Sequence, residues 1–296
     1  MDTGLEIQII AALTAGSCSI LGVFLVLKSM AMISDAITHT VLLGIVLVFF
    51  VVRDLSSPLL IVGAGITGVL TVYLVELLNS SELLKEDAAI GIVFPFLFSI
   101  AVILISKYTK NIHLDIDSVL LGELAFAPFN RIRILTLSIP KGLAVMIIIF
   151  LINLSFVTIF FKELKISVFD KSLALVLGMR PVLIHYMLMS MTSMTAVASF
   201  EAVGSILVVA FMIGPPITAY LLTDKLDIMI ILSIISGTVS SIVGYYIAVL
   251  FDISIAGSIV SVIGVLFSIV LMFSPDRGLA TVLIRKKKAA MGNLIS

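Results

Sequence analysis

The sequence predicts an all-α fold: a bundle of about nine (eight to nine) transmembrane helices forming one domain over residues 1–296. Three observations predict it. Only 12% of the 296 residues are charged, about half the share that wets a soluble surface. The charges are clustered, leaving nine charge-free runs of 17 to 24 residues, and a helix needs roughly 20 apolar residues to cross a bilayer core. The runs are continuously apolar rather than alternating, which excludes a transmembrane barrel. A soluble enzyme and a disordered chain are excluded with it. The 18 basic residues cancel 18 acidic ones, so nucleic acid is not expected as a partner, because phosphate binding needs a basic excess.

The first run, 7–27, reads as a span and not a signal peptide, since eight more follow it and no small-residue cleavage pattern ends it. The second, 36–52, is headed by Met32-Ile33-Ser34-Asp35-Ala36-Ile37-Thr38-His39-Thr40. The third, 55–75, carries Gly63, Gly65 and Gly68, small residues that let membrane helices approach closely. Glu86 and Asp87 precede the fourth run, 88–106, where negative charge suits a helix N-terminus. The stretch 107–135 holds Lys107, Lys110, His113, Asp115 and Asp117 and reads as a loop with a short surface helix or a re-entrant piece. Were one apolar run not a full crossing, the count would be eight.

The fifth run, 142–161, leads into Lys165–Pro181. There Asp170 starts a short helix, Leu173, Val176 and Leu177 share one face, and Gly178 followed by Pro181 stops it. Such an amphipathic helix rests on lipid or docks in a partner's groove. The sixth run, 181–200, contains His185, read as structural, and Glu201 separates it from the seventh, 202–223. Pro215 and Pro216 interrupt the seventh run by removing two backbone donors, giving a kink or a gating hinge. The eighth and ninth runs are 228–251, with small Gly237, Ser241 and Gly244, and 253–275. A basic tail, 277–296, contains Arg285-Lys286-Lys287-Lys288.

Orientation follows from counting. If 162–180 and the C-terminus face the cytosol, twelve Lys and Arg lie inside and six outside, as the positive-inside rule requires. The N-terminus is then outside and the basic tail lies against anionic cytosolic lipid.

Asp35 and His39 are the groups hardest to excuse. Spacing of four puts both on one helix face, a turn apart, and an ionisable residue within a span suggests function by default. Carboxylate oxygen with imidazole nitrogen, and no thiol, suits Mn, Fe or Zn. The bland alternative is a capping aspartate and a hydrogen-bonded core histidine. Glu201 at the outer end, and His113, Asp115 and Asp117 in the outside segment, either line an outer mouth for cations or are solvated.

These segments together resemble the integral-membrane permease subunits of bacterial manganese/zinc/iron ABC importers. Ser34-Asp35-Ala36-Ile37-Thr38-His39 is similar to that family's Gly-Asp-Ala-x-Ser-His signature, and Glu86-Asp87-Ala88-Ala89-Ile90-Gly91 to its Glu-Asp-Thr-Ala-Ile-Gly stretch. Phe169-Asp170 through Leu177-Gly178-Met179 resembles its cytoplasmic coupling helix, and Ile213-Gly214-Pro215-Pro216-Ile217-Thr218-Ala219-Tyr220-Leu221 its Thr-Pro-Ala-Ala-Thr-Ala-Tyr-Leu segment. The departures are Ser34 for Gly, Thr38 for Ser, Leu43 for a common Pro and Glu201 for a frequent Gln.

The resemblance implies a type II importer-like permease domain of a bacterial cytoplasmic membrane, working as a homodimer with two cytosolic ATPase subunits and an extracellular metal-binding receptor. It makes Asp35 and His39 ligands of a translocated ion, manganese first and zinc or iron next. It makes Phe169, Asp170, Lys171, Leu175 and Gly178 the ATPase contact. No permanently bound cofactor and no catalytic residue is expected, and ATP would sit on the partner, since this chain has no G-x-x-x-x-G-K-[ST] loop. A gradient-driven secondary cation carrier is the alternative. An intramembrane metalloenzyme would need a His-Glu-x-x-His or a base beside the metal pair, which the sequence lacks.

Overall fold

An apolar run in lipid has no water to bond its backbone, so it closes its own hydrogen bonds as a helix. The computed structural model describes residues 3–54, 57, 59–81, 84–108, 124–134, 137–275, 278 and 281, with the backbone alone for Glu86, Arg133, Ile134, Leu137 and Glu201. Among the described residues nine helices are long and apolar enough to span a membrane. They are α1 (Thr3–Leu27), α2 (Ala31–Val52), α3 (Leu59–Asn79), α4 (Glu86–Tyr108), α5 (Lys141–Ile159), α8 (Pro181–Val203), α9 (Ser205–Leu222), α10 (Leu226–Phe251) and α11 (Ile255–Phe273). Two short helices, α6 (Phe161–Phe169) and α7 (Lys171–Val176), separate α5 from α8.

One element departs from the all-α expectation. Strands β1 (Arg131–Ile134) and β2 (Leu137–Pro140) pair antiparallel, Arg131 opposite Pro140 and Ile134 opposite Leu137. The hairpin is tied to the start of α1 by a two-pronged ion pair, with Arg131 guanidinium nitrogens 3.0 and 3.1 Å from the carboxylate oxygens of buried Glu6.

α1 is the hub, packing against α5, α8, α9 and α10. Its middle reads Thr14-Ala15-Gly16-Ser17-Cys18-Ser19, and small side chains let neighbouring backbones close in. At Pro215–Pro216, where the sequence predicts a kink or a hinge, α9 stays helical through both prolines. The two prolines strip donors from the carbonyls of Phe211 and Met212, and α1 covers the gap. Ser19 donates to the Phe211 carbonyl at 3.4 Å. Gly22 lies against the Met212 carbonyl and the Pro216 ring, where any Cβ would collide.

Three boundaries also shift. Glu201 does not separate α8 from α9; its backbone continues α8, and the chain turns at Gly204, whose φ of 81° favours glycine. The helix bearing Asp35 begins at Ala31, well before the charge-free run. Glu86 and Asp87 occupy the first turn of α4 rather than preceding it. The alternating spans gather 27–30, 167–171 and 223–226 at one end, with α7, and 203–207 and 254–257 at the other, with residue 124.

Candidate functional site

Asp35 does not cap α2. The N-cap is Met30, which contributes no side-chain cap bond, so the carboxylate projects from the second turn. At 1.5 Å per residue, His39 stands about 12 Å along the helix from Ala31. His39 Nε2 lies 3.6 Å from Asp35 Oδ1, beyond hydrogen-bonding distance, so the two donors face each other without being joined. The imidazole is held by aromatic rings of α4, with centroids 5.0 Å from Phe94 and 6.2 Å from Phe98. α2 is braced on α3 by the Thr71 hydroxyl donating to the Thr40 hydroxyl at 2.7 Å.

The pair opens into a cavity of about 200 Å³ lined also by Thr38, Ser205, Ile206 and Val209. The first turn of α9 therefore closes the side facing the pair. The Asp35 side chain is 42% exposed and that of His39 33%, so both remain accessible in a single chain. No group of three or more His, Cys, Asp or Glu close enough to hold an ion occurs among the described residues. What a lone carboxylate and imidazole can do is replace part of a cation's hydration shell. His113, Asp115 and Asp117 lie outside the described residues, as does the basic run Arg285–Lys288. For Glu201 only the position in the last turn of α8 is described.

The predicted docking segment is a helix broken once. α6 ends at Phe169, Asp170 is extended, and its carboxylate accepts the Leu173 amide at 2.9 Å to cap α7. Gly178 at φ 75° turns the chain away, and its amide donates to the Leu175 carbonyl at 3.0 Å. Ala174 is buried, whereas Phe169, Leu173, Leu175, Val176 and Leu177 are all exposed. That is an unpartnered apolar face at the end of the bundle. Lys171, itself exposed, also borders a cavity of about 260 Å³.

That cavity holds groups that sequence reasoning did not combine. His185, read from sequence as structural, is buried on α8 with Nε2 2.6 Å from Glu76 Oε1 of α3. The Tyr186 hydroxyl donates to Glu76 Oε2 at 2.6 Å. Lys28, just past α1, lies 3.1 Å from His185 Nδ1. Burial, reinforced by the like charge of Lys171, pushes the Lys28 ammonium down to about 8. A signal existed, since Glu76 is a carboxylate inside a span, but nothing in a linear sequence pairs it with a residue 109 positions on.

The ABC 3 transport family model matches residues 4–274. The chain belongs to the ABC 3 transport family. The match runs from the first helix through α11. Among individual relatives, the manganese transport system membrane protein MntD of Bacillus subtilis is 46% identical over 270 residues, 91% of each chain. The zinc transport system membrane protein TroD of Treponema pallidum is 46% identical over 274 residues, 93% of this chain and 75% of that one. In three dimensions the chain is similar to PsaBC from Streptococcus pneumoniae, solved with a Fab. The TM-score is 0.77 at 28% identity, covering 94% of each chain.

Proposed function

We propose that this chain is the membrane-spanning subunit of an ATP-driven importer of divalent transition-metal ions, with manganese as its first substrate and zinc or iron as alternatives. The observation that carries this reading is the open Asp35–His39 pair on α2. Its nitrogen and oxygen donors without thiolate suit these metals. Two ligands bind weakly enough to release, which transport requires. Relatives 46% identical to this chain are manganese and zinc transport system membrane proteins, which supports the same metals here.

In this reading the permease works as a homodimer, and the exposed flank of the pair faces the second copy across the pathway. The apolar face formed by Phe169 at the end of α6 and Leu175 of α7 docks one of two ATPase subunits. Asp170 and Gly178 hold its shape. The α7 end is cytosolic and the C-terminus with it, in line with the basic excess at that end. An extracellular metal-binding protein delivers the ion to the hairpin end. Glu201 and the segment holding His113, Asp115 and Asp117 belong to that outer mouth. The stretch at Pro215–Pro216, lacking two backbone donors, is where α9 flexes when the pathway opens.

Manganese uptake into proteoliposomes containing the whole complex tests this reading. Asp35→Asn and His39→Ala should each lower uptake by at least about tenfold, the usual scale of ligand and near-ligand loss at metal sites, with ATPase assembly unchanged. Near-normal uptake in both variants would remove the pair from the pathway.

A further inference from the structure

The cavity beside Lys171 contains a charge network that serves neither the Asp35–His39 pair nor the exposed face of α7. Its carboxylate is Glu76, a charge within a span and therefore costly without a purpose. The groups around Glu76 come from two other elements, α8 and α7. His185 and Tyr186 contact its two oxygens from α8 at 2.6 Å each. Lys171 of α7 lines the same cavity as Glu76 and acts on it at longer range through its charge. His185 carries the connection further. An ammonium is a donor with no acceptor, so Lys28 donates to His185 Nδ1, while Nε2 on the far side of the ring lies 2.6 Å from Glu76 Oε1 without hydrogen-bond alignment.

Lys28 is the first residue of the three-residue turn from α1 into α2. That turn is tight: Ser29 adopts φ 61° and the Met30 amide donates to the Leu25 carbonyl at 2.9 Å. Ile33, one turn on, lines the same cavity. Two residues apart on a helix is about 200°, so α2 presents Ile33 to the network and Asp35 to the opposite side.

We propose that Glu76 is a positioning residue for transport, tying α7 through Lys171 to α8 and, through His185 and Lys28, to the start of the helix that carries Asp35 and His39. The coupling half of this proposal rests on α7 being the ATPase dock. A shift of α7 then moves an ammonium against a carboxylate that is already braced on two sides. Because removing one member of a partly buried network leaves the others unpaired, the movement passes to the α1–α2 turn instead of dissipating in the loop.

Two measurements test it. In proteoliposomes holding the complete complex, Glu76→Gln and Lys171→Met should each lower manganese uptake per ATP hydrolysed by about tenfold. The double variant should be no worse than either, the signature of residues acting as one unit. ATPase retention should be unchanged in Glu76→Gln, which lies outside the docking face. In the permease alone, spin labels at Ser172→Cys and Ser80→Cys in a Cys18→Ser background should give a narrow distance distribution that broadens in Glu76→Gln. An unchanged distribution overturns the tether. Unchanged uptake per ATP, or losses that multiply in the double variant, overturn the coupling. Failure of the docking reading is read separately: Leu175→Asp would then keep the ATPase bound, which overturns the coupling role whatever the distances show.

Discussion

Two carboxylate–imidazole pairs occupy this bundle, made of the same chemical groups and built in opposite ways. Asp35 and His39 share one helix, stand 3.6 Å apart and remain a third or more exposed. Glu76 and His185 come from two helices, lie 2.6 Å apart, and leave the imidazole only 11% exposed. Around the first pair are phenyl rings and hydroxyls bonded back to the backbone, as with Thr38 to the Asp35 carbonyl at 2.5 Å. Around the second are a phenol and two ammoniums. The lone pairs of Asp35 and His39 are free to meet a visiting cation, whereas those of Glu76 and His185 are already engaged. Residue type therefore does not assign the role; the state of the lone pairs does.

The largest test of that contrast is direct binding of Mn2+ to the purified permease, followed by its EPR signal. His39→Gln should weaken binding by up to about a hundredfold, while His185→Gln should leave it nearly unchanged, given the range for ligand-shell losses. Equal losses would erase the distinction between the pairs.

A second test reads the closed pair through Lys28. Its ammonium is pushed from 10.5 down to about 8, so acylation of Lys28 should rise with a midpoint near pH 8. Glu76 opposes that shift, so Glu76→Gln should move the midpoint lower. The sign for stability follows. Between about 8 and 10.5 the folded chain holds fewer protons than the unfolded one, so this group's contribution rises with pH across that window. A midpoint at the free-lysine value would mean that the cavity does not bury the amine.

The smallest effect concerns the cap of α7, beside the network but not in it. Asp170→Ala should cost about 1 kcal/mol of local helix stability, as cap removals do, seen as faster amide exchange across residues 171–176. Loss of the whole bundle from this change would show that α7 is not an independent surface element.

Much of the fold was legible because each span is written as one uninterrupted apolar run. The open pair was legible for a related reason: spacing of four on a helix is a statement about adjacent residues. What failed was everything that depends on a neighbouring helix. Two prolines read as a kink or hinge, but the sequence did not show that α9 stays helical through them with Ser19 and Gly22 of α1 set against the freed carbonyls. Glu201 read as a boundary, but backbone geometry puts the turn at Gly204. The hairpin over 131–140 was missed because its anchor, Glu6, lies 125 residues away. The Glu76–His185 pair was missed for the same reason.

By itself the sequence determined a bundle of eight to nine spans, its predominantly helical class and the face shared by Asp35 and His39, since length, apolarity and helical pitch are local quantities. Only the tertiary structure decided which spans lie inside the bundle. α1 and α11 are both long and apolar enough to span a membrane, yet 78% of the most apolar stretch of α1 is buried and only 17% of that of α11. Lipid and protein interior are equally apolar solvents for a leucine, so hydropathy cannot tell them apart. Only packing between small side chains and the pairing of distant charges can.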